Sequence, residues 1–173
     1  MKNWLLAAGV AAILMAPALG HAASPTLLSK FNDWVASTYD DNGKTLCYAT
    51  SEPKHQAGAG KGRAKAYIAV THVSVPDASL HDQVSYIAGY ELKPNTTVRL
   101  TIGGETFSLD LLQKDRAWAK DAEADKALVG AMRRGNTLVI RSTPARGGEV
   151  TDSYSLSGFS RAYQAISGAC KVK

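Results

Sequence analysis

Gly158-Phe159-Ser160-Arg161-Ala162 is the stretch nearest in pattern to a reactive serine. It follows a strand-like run and opens a helix-like one, the setting that lifts a nucleophilic hydroxyl clear of a sheet. The pattern is one glycine short, because Ala162 stands where the second glycine belongs. Hydrolases of that kind place their histidine after the serine, whereas His55, His72 and His81 all precede Ser160. The expectation is therefore that Ser160 caps the last helix and catalyses nothing.

Gly58-Ala59-Gly60-Lys61-Gly62 has the flavour of a phosphate loop. Such a loop needs a glycine where His55 stands and a hydroxyl residue where Gly62 stands, and a helix must follow. A strand-like run follows instead, so the stretch reads as a flexible connection. Lys54, Lys61, Arg63 and Lys65 crowd the same region and form a candidate surface for an anionic partner.

The remaining chemistry is thin. The histidines lack metal-ligand spacing. Asp40-Asp41-Asn42-Gly43 lacks the closing glutamate of a calcium loop. The fifteen acids are dispersed, and the sequence singles out no pair for hydrolysis. No metal and no cofactor is expected. Cys47 and Cys170, an even pair in a chain read as exported, are expected to form a disulfide.

The export reading comes from the first residues. Lys2 precedes an apolar run from Leu5 to Leu14, and small residues follow through Ala23. That order describes a secretory signal peptide cleaved after Ala22 or Ala23. Residues 23–173 then form one domain. Losing Lys2 lowers the formal charge of +5 by one, leaving a mildly basic surface.

Within that domain, short β-prone runs alternate with turn signals. Strands are expected at Phe31–Thr38, Lys44–Thr50, Ala64–Val73, Gln83–Leu92, Thr97–Ile102, Glu105–Leu112, Thr137–Ser142 and Glu149–Leu156. Ser51–Arg63 reads as a loop, and turns are expected at Asn42-Gly43, Pro76-Asp77 and Gly103-Gly104. Helical periodicity predicts helices at Ala122–Arg134, capped by Asp121, and at Ser160–Ser167. Trp34 reads as a core anchor, as does Trp118. Seven or eight strands with two short helices point to an all-β antiparallel sandwich.

Several short motifs recur in order along the chain: Phe31-Asn32-Asp33-Trp34, Cys47-Tyr48, Val84-Ser85 with Gly89-Tyr90, Ala117-Trp118-Ala119, Leu128 to Arg133, Tyr154 to Ser160, and Cys170. Together they resemble the invasion-associated locus B family of exported bacterial proteins. The resemblance implies an immunoglobulin-like sandwich, a periplasmic or envelope location and a role in host-cell invasion. It brings no catalytic residues. The reading that follows is a non-enzymatic, partner-binding envelope protein, outer-membrane-associated or secreted where it leaves the periplasm. Its partner is a protein or an envelope or host-surface component. Anionic lipid or polysaccharide is the weaker alternative, nucleic acid is not expected, and the chain is not read as an integral membrane protein. A periplasmic hydrolase using dispersed acids or Ser160, or a structural or stress-related periplasmic factor, stands as the competing reading.

Overall fold

A computed structural model of the chain describes residues 24–58, 62–75 and 79–172. The signal segment, Lys61 and the Pro76-Asp77 turn lie outside the described residues. The fold is an antiparallel β-sandwich with two helices, as the strand pattern predicts.

The first sheet has seven strands and is largely a meander. β1 (Thr26–Phe31), β2 (Trp34–Asp41), β3 (Lys44–Ser51), β5 (Tyr67–Ser74) and β6 (Ser79–Ile87) lie side by side, followed by β10 (Arg116–Trp118) and β9 (Leu111–Gln113). The second sheet has five strands in the order β4 (His55–Ala57), β12 (Val150–Ser155), β11 (Thr137–Ser142), β7 (Val98–Ile102) and β8 (Glu105–Leu109). Helix α1 spans Ala122–Arg134 and helix α2 spans Phe159–Ala169.

Two-residue turns fix the register of the hairpins. Gly103 and Gly104 both have positive φ, 56° and 90°, and Ile102 pairs with Glu105 across them. That conformation needs residues that tolerate the left-handed region, which glycine supplies at no steric cost. Alternation then sorts the side chains. Trp34 and Ala36 of β2, Ala49 of β3, and Ile68 and Val70 of β5 point into the core, where Leu100 and Ile140 of the second sheet are also buried. Helix α2 lies against β1, β2, β3 and β5. Its Phe159 ring stands 4.7 Å from that of Trp34, which donates from Nε1 to the Ser155 carbonyl at 3.0 Å. Asp121 caps α1 as expected, accepting from the Ala124 N–H at 2.8 Å.

The Cys47–Cys170 disulfide is formed and ties the end of α2 to β3. It closes a loop of 123 residues. By loop entropy such a closure is worth about 4–5 kcal/mol.

The structure corrects several boundaries. The predicted strand Phe31–Thr38 is two strands, β1 and β2, broken by the turn at Asn32-Asp33, where Asn32 takes a φ of 51°. In β1 the apolar residues Leu27, Leu28 and Phe31 do not alternate with polar ones, so the strand does not announce itself. Ser51–Arg63 is not wholly a loop, since β4 lies within it and pairs with β12. Gln83–Leu92 stops as a strand at Ile87, and Glu105–Leu112 divides into β8 and β9. β10, three residues long, has no sequence signal of its own. Twelve strands are present among the described residues, rather than seven or eight.

Candidate functional site

Ser160 does not cap α2. The N-cap is Gly158, in the left-handed region at φ 93°, with no side chain to accept a hydrogen bond. A Cβ there would come within 1.9 Å of the Phe31 carbonyl oxygen, so only glycine fits this approach to β1. The Ser160 hydroxyl instead donates to the Arg133 carbonyl of α1 at 3.3 Å. The near-elbow glycine thus serves the packing of α2 on the β1–β2 turn.

The four cations of the candidate anionic-partner surface do not share one environment. Arg63 turns inward, with its side chain 7% exposed, and donates to Asp152 from both terminal guanidinium nitrogens at 2.7 and 2.6 Å. Its Nε donates to the Ala88 carbonyl at 2.7 Å, and its plane lies 4.8 Å over the Tyr90 ring. Tyr86 completes the cluster by donating to Asp152 at 2.6 Å. Burial lowers the pKa of Arg63, but the hydrogen bond to Asp152 and the charge interactions with Tyr86, Asp152 and Tyr90 together outweigh it and hold the guanidinium above its ordinary value. Burial pushes the Tyr86 phenol well up. Arg63 thereby joins the end of the first sheet to β12 of the second, a structural use that leaves little charge for a ligand. The Tyr154 hydroxyl is buried nearby without a hydrogen-bond partner among the described residues.

A second polar cluster lies under α2. His72 is fully buried on β5, opposite Cys47. The β5–β6 register shifts there, so that His81 and Asp82 of β6 stand against His72. The backbone N–H of Asp82 donates to His72 Nδ1 at 3.1 Å, while Nε2 lies 3.1 Å from the Ser167 hydroxyl. Tyr163 donates to the Asp82 carboxylate at 2.7 Å. Serine, histidine and aspartate are thus gathered in one place, but they are wired the wrong way for nucleophilic chemistry. A catalytic histidine gives its Nδ1 hydrogen to the acid and accepts the serine proton at Nε2. Here Nδ1 already accepts a backbone hydrogen, so the neutral ring carries its hydrogen on Nε2 and donates to Ser167. Burial is the main cause that holds the His72 pKa below the ordinary value.

Alternation marks one member of each cluster as inward, though not the partners that meet it. His72 continues the inward series Ile68, Val70, and Asp152 continues Val150 and Tyr154. An ionisable residue at an inward strand position demands a partner.

The exposed chemistry sits on the other face of the first sheet. Val35, Tyr48, Thr50 and Tyr67 are half-buried and line a solvent-open groove of about 640 Å³ across β2, β3 and β5. The face opposite theirs carries the core and α2, and among the described residues no layer lies above these side chains. Lys54 pairs with Asp33 and Lys65 with Glu52, the latter at 3.1 Å, along the groove's edge. The hydrogen bond from Lys54 lowers the Asp33 pKa, and Lys30 adds a further cation beside it. Lys54 and Lys65 therefore meet on this groove, Arg63 does not, and Lys61 lies outside the described residues. The aromatic partners Tyr48 and Tyr67 were not foreseen; each sits on the outward parity of its strand. Of the two tryptophans read as core anchors, Trp34 is fully buried in the core and Trp118 is only half-buried.

Among the described residues no three His, Cys, Asp or Glu side chains stand close enough to hold a metal. No helix among them is long and apolar enough to cross a membrane.

A disulfide-closed antiparallel sandwich, with two helices on its inner side and an open groove on its outer side, belongs to the class of small all-β proteins that fits an extracellular or periplasmic location. The family described as Invasion associated locus B (IalB) protein matches residues 34–167, and the chain belongs to that family. The match spans β2 to Ser167 near the end of α2, and so includes both buried clusters and most of the groove. Comparison with curated proteins and with solved structures returned no match.

Proposed function

We propose that this protein is an exported, non-enzymatic envelope component that works as a partner-binding module, presenting the groove of its seven-stranded sheet to an envelope or host-surface ligand. The observation that carries this reading is the groove itself. Sheets of a sandwich usually bury one face and leave the other polar and flat. Here the outer face holds Val35, Tyr48 and Tyr67 in a concave strip edged by paired charges. Tyrosine gives much contact area for little conformational entropy, which suits a recognition surface. Export is supported by the segment from Lys2 to Ala23 and by the Cys47–Cys170 bond. A catalytic role finds no support in Ser160, which bonds a helix carbonyl, or in Ser167, whose histidine is a donor towards it.

The test is site-specific crosslinking in cells that export the protein. A photo-reactive residue at Tyr67 should trap a discrete envelope or host-surface species, whereas the same residue at exposed Lys126 on α1 should not. Equal trapping at both positions, or none at Tyr67, sinks the groove as the working surface. A shock fraction lacking the protein would sink the periplasmic location.

A further inference from the structure

We infer that the groove binds an acidic oligosaccharide; the inference rests on reading this groove as the partner surface. Three observations narrow the occupant. The first is where the groove lies. It crosses β2, β3 and β5, which are paired to neighbours on both sides. Their backbone donors and acceptors are spent in the ladders, so an added peptide strand has nothing to pair with here. Recognition has to come from side chains.

The second is which side chains stand there. Tyr48 and Tyr67 offer rings and Thr50 a hydroxyl. Along the edge, lysine alternates with acid: Lys54 with Asp33, Lys65 with Glu52. A lipid headgroup or a bare phosphate would meet two carboxylates as well as the lysines. A sugar ring uses both signs, because each hydroxyl donates to a carboxylate and accepts from an ammonium. Its apolar face lies against an aromatic ring as it leaves water. The groove volume of about 640 Å³ falls among those of ligand-binding clefts.

The third is charge. Asp33 and Glu52 are matched one to one, and Lys30 stands beside them as the extra cation. The exported chain is basic as well, one charge below the +5 of the full sequence. An oligosaccharide bearing carboxylate or sulfate groups complements that excess and is drawn in faster for it.

The experiment is titration of the purified exported protein with hexasaccharides from heparin and from polygalacturonate. A neutral glucose hexasaccharide and phosphatidylglycerol vesicles serve as the other arms. One or both acidic hexasaccharides should bind, and the neutral one should bind at least about tenfold more weakly. Tyr67→Thr and Lys30→Ser should each weaken binding, by about tenfold and about threefold. Lys93→Ser, which removes an exposed cation remote in sequence from the groove, should leave binding unchanged. Lys30 is exposed on an edge strand, so its variant keeps the test sharp even where Tyr67→Thr lowers the melting temperature. Absence of binding to both acidic hexasaccharides at low salt overturns the inference, as does loss through Lys93→Ser equal to that through Lys30→Ser. Vesicle binding through Tyr67 and Lys30 without hexasaccharide binding assigns the groove to lipid and overturns it too. Crosslinking from Tyr67 to a non-glycan species, without hexasaccharide binding, rejects the sugar and keeps the partner surface. Silence in both experiments rejects both.

Discussion

Arg63 stands just before β5 and His72 near its end, and each brings buried polarity to the same inner face. Around Arg63 the polarity is ionic. A guanidinium and the Asp152 carboxylate face each other with two short hydrogen bonds, and Tyr86, Tyr90 and the Ala88 carbonyl fill the remaining positions. Around His72 the polarity is neutral. One ring accepts from a backbone N–H and sits against a serine hydroxyl, with the carboxylate of Asp82 held 3.9 Å off by its own bond to Tyr163. The first cluster joins sheet to sheet, and the second seats α2 and the disulfide on β5. Charge inside the first is fixed over the whole physiological range, because arginine does not deprotonate. In the second, the buried imidazole is uncharged at neutral pH and takes up its charge in acid. The same strand is therefore anchored at one end by a bond that ignores pH and at the other by one that responds to it.

Breaking the ionic end gives the largest expected effect. Asp152→Ala strands a buried guanidinium, and Arg63→Met strands a buried carboxylate. Either single change should cost about 3–5 kcal/mol in urea unfolding. The double variant Arg63→Met, Asp152→Leu should cost clearly less than the two singles together, because no unpaired charge remains inside. Strict additivity of the two singles would mean that the pair is not coupled and that Arg63 acts by packing alone.

The neutral end is probed by pH. Burial keeps the His72 pKa below its value in the unfolded chain, about 6.5. Below that pH the unfolded chain takes up a proton that the folded ring refuses. Stability from this site therefore falls as pH drops through 6.5 toward the folded pKa, by at most about 1.4 kcal/mol per pH unit. Asp82 opposes the shift, and His81, its ring 6.0 Å away, reinforces it. Asp125 works in the other direction. It is buried in the first turns of α1, accepts the Val84 N–H at 2.9 Å, and is pushed up to about 6, burial first and the nearby Asp82 and Asp121 charges after it. Its cost is present in full above about pH 6 and is relieved as pH falls toward 4. Between pH 6 and 4 the two groups oppose each other. His72→Asn, whose amide oxygen can still accept from Asp82, should make the protein gain stability from pH 7.5 to 5. Asp125→Asn should make it lose stability more steeply than the native chain. Urea midpoints at three pH values decide this, and two variants that run parallel to the native profile would remove both groups from the account.

These contrasts show how far the sequence could be read. The two-layer plan, the hairpin at Gly103-Gly104, the cap at Asp121 and the partnership of Cys47 with Cys170 follow from local rules: alternation, positive-φ turn residues, a helix signature and cysteine parity. The two buried clusters do not, because their partners lie far apart along the chain. Arg63 and Asp152 are 89 residues apart, and His72 and Ser167 are 95 apart. Alternation marks His72 and Asp152 as inward, but only the assembled sheets say what meets them. The same holds for the basic loop. Its four cations are neighbours in sequence, and the chain then sends Arg63 inside the sandwich and sets Lys54 and Lys65 beside acids.

The smallest expected effect concerns the feature that looked most chemical. Were Ser160 a cap, its replacement by alanine would cost about 1 kcal/mol. Gly158 holds that position and offers no side chain, so the remaining contribution is one long hydroxyl bond to the Arg133 carbonyl. A net hydrogen bond of good geometry is worth about 0.5–1.5 kcal/mol, and a long one near solvent less. Ser160→Ala should therefore shift stability by no more than about 0.5 kcal/mol. Gly158→Ala in the same turn should be far more damaging, since its Cβ would strike Phe31. A serine-directed fluorophosphonate should label neither Ser160 nor Ser167: the first bonds a carbonyl, and the second faces an imidazole that donates. Labelling of Ser167 that disappears in His72→Asn would show that the ring takes the opposite tautomer and acts as a base, which would turn the neutral cluster at the end of β5 into an active one.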